Sequence, residues 1–160
     1  MIEVTKRTND KKLPQKFSAG IYMALRDLEK AEKDPDFMVN MFTWAMRKKK
    51  GRPCEVCFGG AVMVGTLGVE LPDRASSFAL GSFDDETFNK IGALDTLRKG
   101  ILEDAFHQYT GSTKRLPAKV MKSICIGSGG FFLAIPYSMD PKGFKLQMRK
   151  VAKALKDAGL

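Results

Sequence analysis

The chain has 160 residues, 44% hydrophobic and 28% charged, with 27 Lys and Arg against 18 Asp and Glu for a net charge of +9. Enough large apolar side chains are present to exclude a disordered polymer, and the length suits one domain with a real core. Three cysteines, with Cys54 and Cys57 only three apart, exclude a disulfide framework, and the most apolar stretch, residues 56–69 interrupted by four glycines, is too short for a bilayer crossing.

The polar start Met1-Ile2-Glu3-Val4-Thr5-Lys6-Arg7 lacks the apolar run of a secretory signal, which leads us to expect a cytoplasmic protein with no membrane partner. Charge is unevenly spread: residues 1–52 carry +6, residues 53–112 carry −5 and residues 113–160 carry +8. Such a layout draws polyanions or acidic protein surfaces to the ends, and it also supports head-to-tail homo-oligomers.

Residues 1–12 are polar and without apolar periodicity, and we read them as a flexible basic arm ahead of a single globular domain over 13–160. Phe17, Ile21, Ala24, Leu28 and Ala31 recur at helical spacing, so a first helix is expected from Pro14 until Asp34-Pro35 stops it. Residues 37–46, with the single Trp44, are apolar without one period and fit a short buried helix or a strand. The run Arg47-Lys48-Lys49-Lys50-Gly51-Arg52 reads as a loop, and Pro53 to Gly68 as a buried helix whose Gly59, Gly60, Ala61 and Gly65 admit a close helical neighbour.

Ser82 and Asp85 have the spacing of a capping box, with Asp84 and Glu86 complementing the helix dipole. The helix expected there carries Phe88, Ile91, Leu94, Leu97, Ile101 and Ala105, is open to division at Gly92 and Gly100, and closes at Thr110-Gly111-Ser112. Val120, Ile124 and Ile126, then Phe131 to Ile135 beyond Gly127-Ser128-Gly129-Gly130, suggest one short β-hairpin near residues 119–135. Asp140-Pro141 opens a last helix, with Phe144, Met148, Val151 and Leu155 on one side and Lys142, Lys145, Arg149, Lys153 and Lys156 opposite, ending at Gly159. The fold class expected is mainly α (α+β), a compact helical domain.

Cys54 and Cys57 have CxxC spacing, and Cys125 with His107 would complete four zinc ligands by count. Zinc domains usually pair their ligands in two clusters, whereas Cys125 and His107 are isolated, so buried cysteines in a helix are the favoured reading. A dithiol redox centre needs a strand before its CxxC, which the basic loop does not supply. His107, the sole histidine, suits a helix C-terminus, and no nucleophile elbow or HExxH motif is present. The 127–130 glycines lack the following helix that a phosphate-binding loop requires, so a hairpin turn is preferred.

The segment Cys54-Glu55-Val56-Cys57-Phe58-Gly59-Gly60-Ala61-Val62-Met63, continuing to Gly68, resembles a group of small bacteriophage-encoded proteins of uncharacterised function. The ending Asp140-Pro141-Lys142-Gly143-Phe144 through Met148-Arg149-Lys150 to Leu155 and Leu160 is similar to theirs, as are Leu13 to Asp36 and Ala93 to Arg98. The resemblance implies a host-directed role exercised by binding, with host takeover or antagonism of host defence as the setting. From the residues, the expected binding surface is Lys145, Arg149, Lys153 and Lys156 together with Arg47, Lys48, Lys49 and Lys50, facing nucleic acid, a nucleotide or an acidic host protein. The alternatives are a zinc- or thiol-dependent protein or enzyme centred on Cys54 and Cys57, and a self-associating structural protein.

Overall fold

A computed structural model describes residues 13–46, 51–69, 83–125 and 130–160. Among them are six helices and a small sheet, so the protein is mainly α with a short β part. The elements run α1 (Phe17–Lys33), β1 (Phe37–Val39), β2 (Ala45–Met46), β3 (Cys54–Val56), α2 (Phe58–Val64), α3 (Asp85–Arg98), α4 (Leu102–Thr110), α5 (Ala118–Ile124) and α6 (Pro141–Asp157).

Helix α1 forms as its periodicity predicts, one turn later than Pro14, and buries Phe17, Ile21, Ala24 and Leu28. It stops at Asp34, whose extended backbone is what the following proline demands. Helix α6 lies against it, burying Phe144, Met148, Val151, Ala152 and Leu155. The N–H and hydroxyl of Ser18 both donate to the carbonyl of Leu160, at 3.2 and 3.0 Å, tying the end of α6 to the start of α1. Asp140 caps α6, its Oδ1 accepting from the N–H of Gly143 at 2.9 Å, with Pro141 in the first turn.

Residues 37–46 supply two strands, and the expected helix over Pro53–Gly68 is instead a strand followed by a helix. Strand β3 is central in the order β1-β3-β2, parallel to β1 and antiparallel to β2. All three β3 residues are buried, which is why an apolar run running straight into α2 carried no period that separates strand from helix. The α2 glycines admit helical neighbours as expected, a Cβ on Gly59 lying 3.0 Å from Ile91 of α3 and one at the C-cap Gly65 2.8 Å from Asp27 of α1, and they also admit the chain entering β2: a Cβ on Gly60 would lie 1.5 Å from the carbonyl oxygen of Trp44.

Asp84, not Ser82, caps α3, its Oδ1 accepting from the N–H of Thr87 at 2.7 Å; Ser82 lies outside the described residues. Gly92 sits inside α3, and the division falls at Gly100, where φ is +88° and the chain turns back so that α4 packs on α3. Gly111, also left-handed at φ +72°, ends α4 as expected.

The expected hairpin near 119–135 does not form among the described residues. Its first limb is helix α5, because Val120 and Ile124 are four apart and share one face while Lys119, Lys122 and Ser123 are exposed. Its second limb is extended, but Phe131 pairs with Ile101 in an isolated antiparallel bridge. Residues 1–12, 47–50 and 127–129 lie outside the described residues, and with them the expected arm, the basic run from Arg47 to Lys50 and most of the glycine loop. No helix among the described residues is long and apolar enough to cross a membrane.

Candidate functional site

Helix α6 distributes its cations to two flanks with different fates. On the flank against α1, the Nζ of Lys145 lies 2.9 Å from both carboxylate oxygens of Glu32, and Arg149 pairs with Glu29. The Lys145 and Glu32 side chains are only 17% and 23% exposed, so this pair is a seam between helices and not a free surface.

The other flank faces α5. Lys150, Lys153 and Asp157 from α6 and Lys119 and Ser123 from α5 border a cleft of about 280 Å³ floored by Val120, Ile124 and Ala154. Lys119, Lys122 and Lys150 are exposed and have no acidic hydrogen-bond or ion-pair partner among the described residues. Asp157 is the only carboxylate in this cleft: it pairs with Lys153 at 2.7 Å, and that hydrogen bond holds the Asp157 carboxyl below its ordinary value and raises the Lys153 ammonium above its own.

Past Asp157 the face continues onto α1. The Nζ of Lys156 stands 6.0 Å from the centre of the Tyr22 ring, and both residues border a shallow concavity of about 700 Å³ with Lys16, Arg26 and Thr66. Among the described residues no carboxylate lines that concavity, but the buried Asp27 of α1 pairs with Arg26 at 3.7 Å and accepts from the N–H and hydroxyl of Thr66 at 3.1 and 2.5 Å. The two concavities together present Lys119, Lys150, Lys153, Lys156, Lys16 and Arg26 around a single lining carboxylate.

The expected basic surface is thus divided. Lys153 and Lys156 stand on the open face, Lys145 and Arg149 are engaged with α1, and Arg47, Lys48, Lys49 and Lys50 lie outside the described residues. Lys119 and Lys122 lie in a segment whose β-branched residues suggest a strand, and their spacing of three, beside Val120 and Ile124, is the helical signal.

The thiol and imidazole candidates are not brought together, and among the described residues no group of three or more His, Cys, Asp or Glu is disposed to hold a metal ion. Cys54 lies in β3 and Cys57 caps α2, so the pair spans a strand-to-helix junction that the sequence reading did not expect. Both are buried, and burial pushes the Cys57 thiol up to about 11 although it accepts from the N–H of Gly60 at 3.3 Å. A nucleophilic dithiol needs the opposite shift and access to solvent. Cys125 is half-buried and raised by burial, with its sulfur 3.7 Å from that of Met121. The Nε2 of His107 is 2.7 Å from the carbonyl oxygen of Lys114, which occupies it in closing α4 onto the next segment.

No family model, curated protein or solved structure matches the chain.

Proposed function

We propose that the protein acts by binding, and that its open α5–α6 face meets the phosphate backbone of a nucleic acid. The observation that carries this reading is that Lys119, Lys122 and Lys150, beside the α5–α6 cleft, have no acidic hydrogen-bond or ion-pair partner among the described residues, whereas Lys145, Arg149 and Lys153 of α6 are paired. An ammonium held near a surface without a carboxylate keeps its attraction for phosphate and gains from counterion release when it meets one. Lysines, unlike arginines, offer point charges and not bidentate forks, which suits backbone contact over base reading. The host-directed accessory role implied by the resemblance to small bacteriophage proteins fits a captured host or phage nucleic acid.

Fluorescence anisotropy of a labelled oligonucleotide tests this. The triple variant Lys119→Glu/Lys150→Glu/Lys153→Glu should bind at least about tenfold more weakly at low salt, because three phosphate contacts become repulsions. Equal binding by the variant, or none by the wild type, would remove the proposal.

A further inference from the structure

At the opposite end of α6 lies a second surface of different chemistry. A groove of about 610 Å³ runs between the β1–β2 connection and the extended segment 132–138, bordered by Met38, Val39, Phe42, Leu133 and Tyr137. Phe42 is 88% and Leu133 73% exposed, and Met38 is also exposed, which places large apolar side chains in water along one concavity.

One wall of this groove is the outer edge of β1, which pairs with no strand but β3 among the described residues. In the parallel β1–β3 ladder Met38 stands opposite Glu55, the carbonyl of Asp36 accepts from Cys54 at 2.8 Å, and the N–H of Asn40 donates to Val56 at 2.8 Å. Alternation along a strand then turns the N–H of Val39 and the carbonyls of Phe37 and Val39 away from β3, and no other backbone or side-chain group among the described residues bonds them. Val39 itself borders the groove.

The charge of the lining is one-sided. Arg98 and Lys99 are its only charged side chains, and both reach the same carboxylate, Asp95, at 2.7 and 3.1 Å, so one positive charge is left over at the rim.

We propose that this groove binds an extended peptide segment that adds to the β1 edge, places alternate apolar side chains against Phe42, Leu133 and Met38, and sets a flanking carboxylate beside Lys99. An edge strand supplies backbone bonds to any extended chain, apolar pockets select every second side chain, and the residual cation selects an acidic flank. The partner is therefore an acidic-flanked apolar strand of another protein. This groove and the lysine cleft share no lining residue, and Pro141, which borders the groove, precedes Lys153 by about 18 Å of helix at 1.5 Å per residue.

The test is selection of a displayed library of random twelve-residue peptides on the intact protein. Enriched sequences should alternate apolar with other residues and carry Asp or Glu at one flank. A synthetic peptide of the enriched sequence should bind at least tenfold more weakly to Phe42→Asp and to Leu133→Asp, and Lys99→Glu should weaken it while favouring the same peptide with lysine at the flank. Both apolar positions are exposed, and melting curves matching the wild type confirm that the variants fold; if one does not, the other carries the test. Failure to enrich any peptide, enrichment of basic or non-alternating sequences, or variants that bind as the wild type does would overturn the proposal. So would a dimer of the free protein that these substitutions abolish, which would make a second copy the occupant.

Discussion

Reversing Lys145 should destabilise the protein where reversing Lys150 should not, although the two stand five residues apart on one helix. The Lys145 ammonium bridges both oxygens of Glu32 at 2.9 Å in a seam less than a quarter exposed on either side. Two unit charges about 4 Å apart interact by roughly 4 kcal/mol at an effective dielectric constant near 20. Lys145→Glu removes that attraction and installs a repulsion of similar size. The new carboxylate can swing toward solvent, so about 3 kcal/mol of the total is expected to survive as lost stability. For a chain of this size that is roughly 6–12 °C in Tm. Lys150, exposed and without an acidic partner, should change stability by less than about 0.5 kcal/mol on reversal. Thermal melts followed by circular dichroism at low ionic strength give both values, and the exchange Glu32→Lys/Lys145→Glu should recover part of the loss. A Lys145→Glu protein melting with the wild type would refute the division of α6 into a structural and an open flank.

Other substitutions probe the scaffold that holds these faces. Gly60→Ala, whose Cβ meets the Trp44 carbonyl oxygen at 1.5 Å, should cost about 3 kcal/mol or more in a denaturant titration, since backbone and not a flexible side chain must give way. Asp140→Ala removes the cap of α6 and should cost about 1 kcal/mol by the same assay, with Asp140→Asn close to wild type. Because burial keeps the Cys57 thiol protonated up to about 11, the unfolded chain loses this proton first as pH rises through 9. Stability conferred by the neutral thiol is then complete below pH 9 and lost between pH 9 and 11, by at most about 3 kcal/mol, and Cys57→Ser should show a shallower alkaline decline. Thiol labelling of the native protein near neutral pH should reach Cys125 well before Cys54 and Cys57; early labelling of Cys57 would contradict its burial.

Elements with one strong period were legible in the sequence. Helices α1 and α6 have apolar residues at spacings of three and four, charged outer faces and terminal proline or acidic signals, and both form where expected. The buried strand β3 was not, because burial on both faces removes the alternation that identifies a strand, and its junction with α2 falls at Cys57, not one of the residue types that commonly cap a helix. Helix α5 reads equally as a hairpin limb, since Val120 and Ile124, four apart in a seven-residue element, satisfy either period. The lysine face was half legible. Periodicity put Lys145, Arg149, Lys153 and Lys156 on the outside of one helix, but only the tertiary packing of α1 reveals that Glu32 and Glu29 claim the first two. The apolar groove had no sequence signature, because its walls come from residues 38–42 and 132–138, which neither share a period nor neighbour each other in the chain.

The central claim, capture of a phosphate backbone by the α5–α6 lysines, is tested most directly by the salt dependence of oligonucleotide binding. With four or five lysines engaged, the logarithm of the binding constant for a single strand should fall against the logarithm of salt with a slope of about −3, and the triple reversal of Lys119, Lys150 and Lys153 should flatten it by about 2. A wild-type slope near zero, or one that the triple variant leaves unchanged, would contradict it.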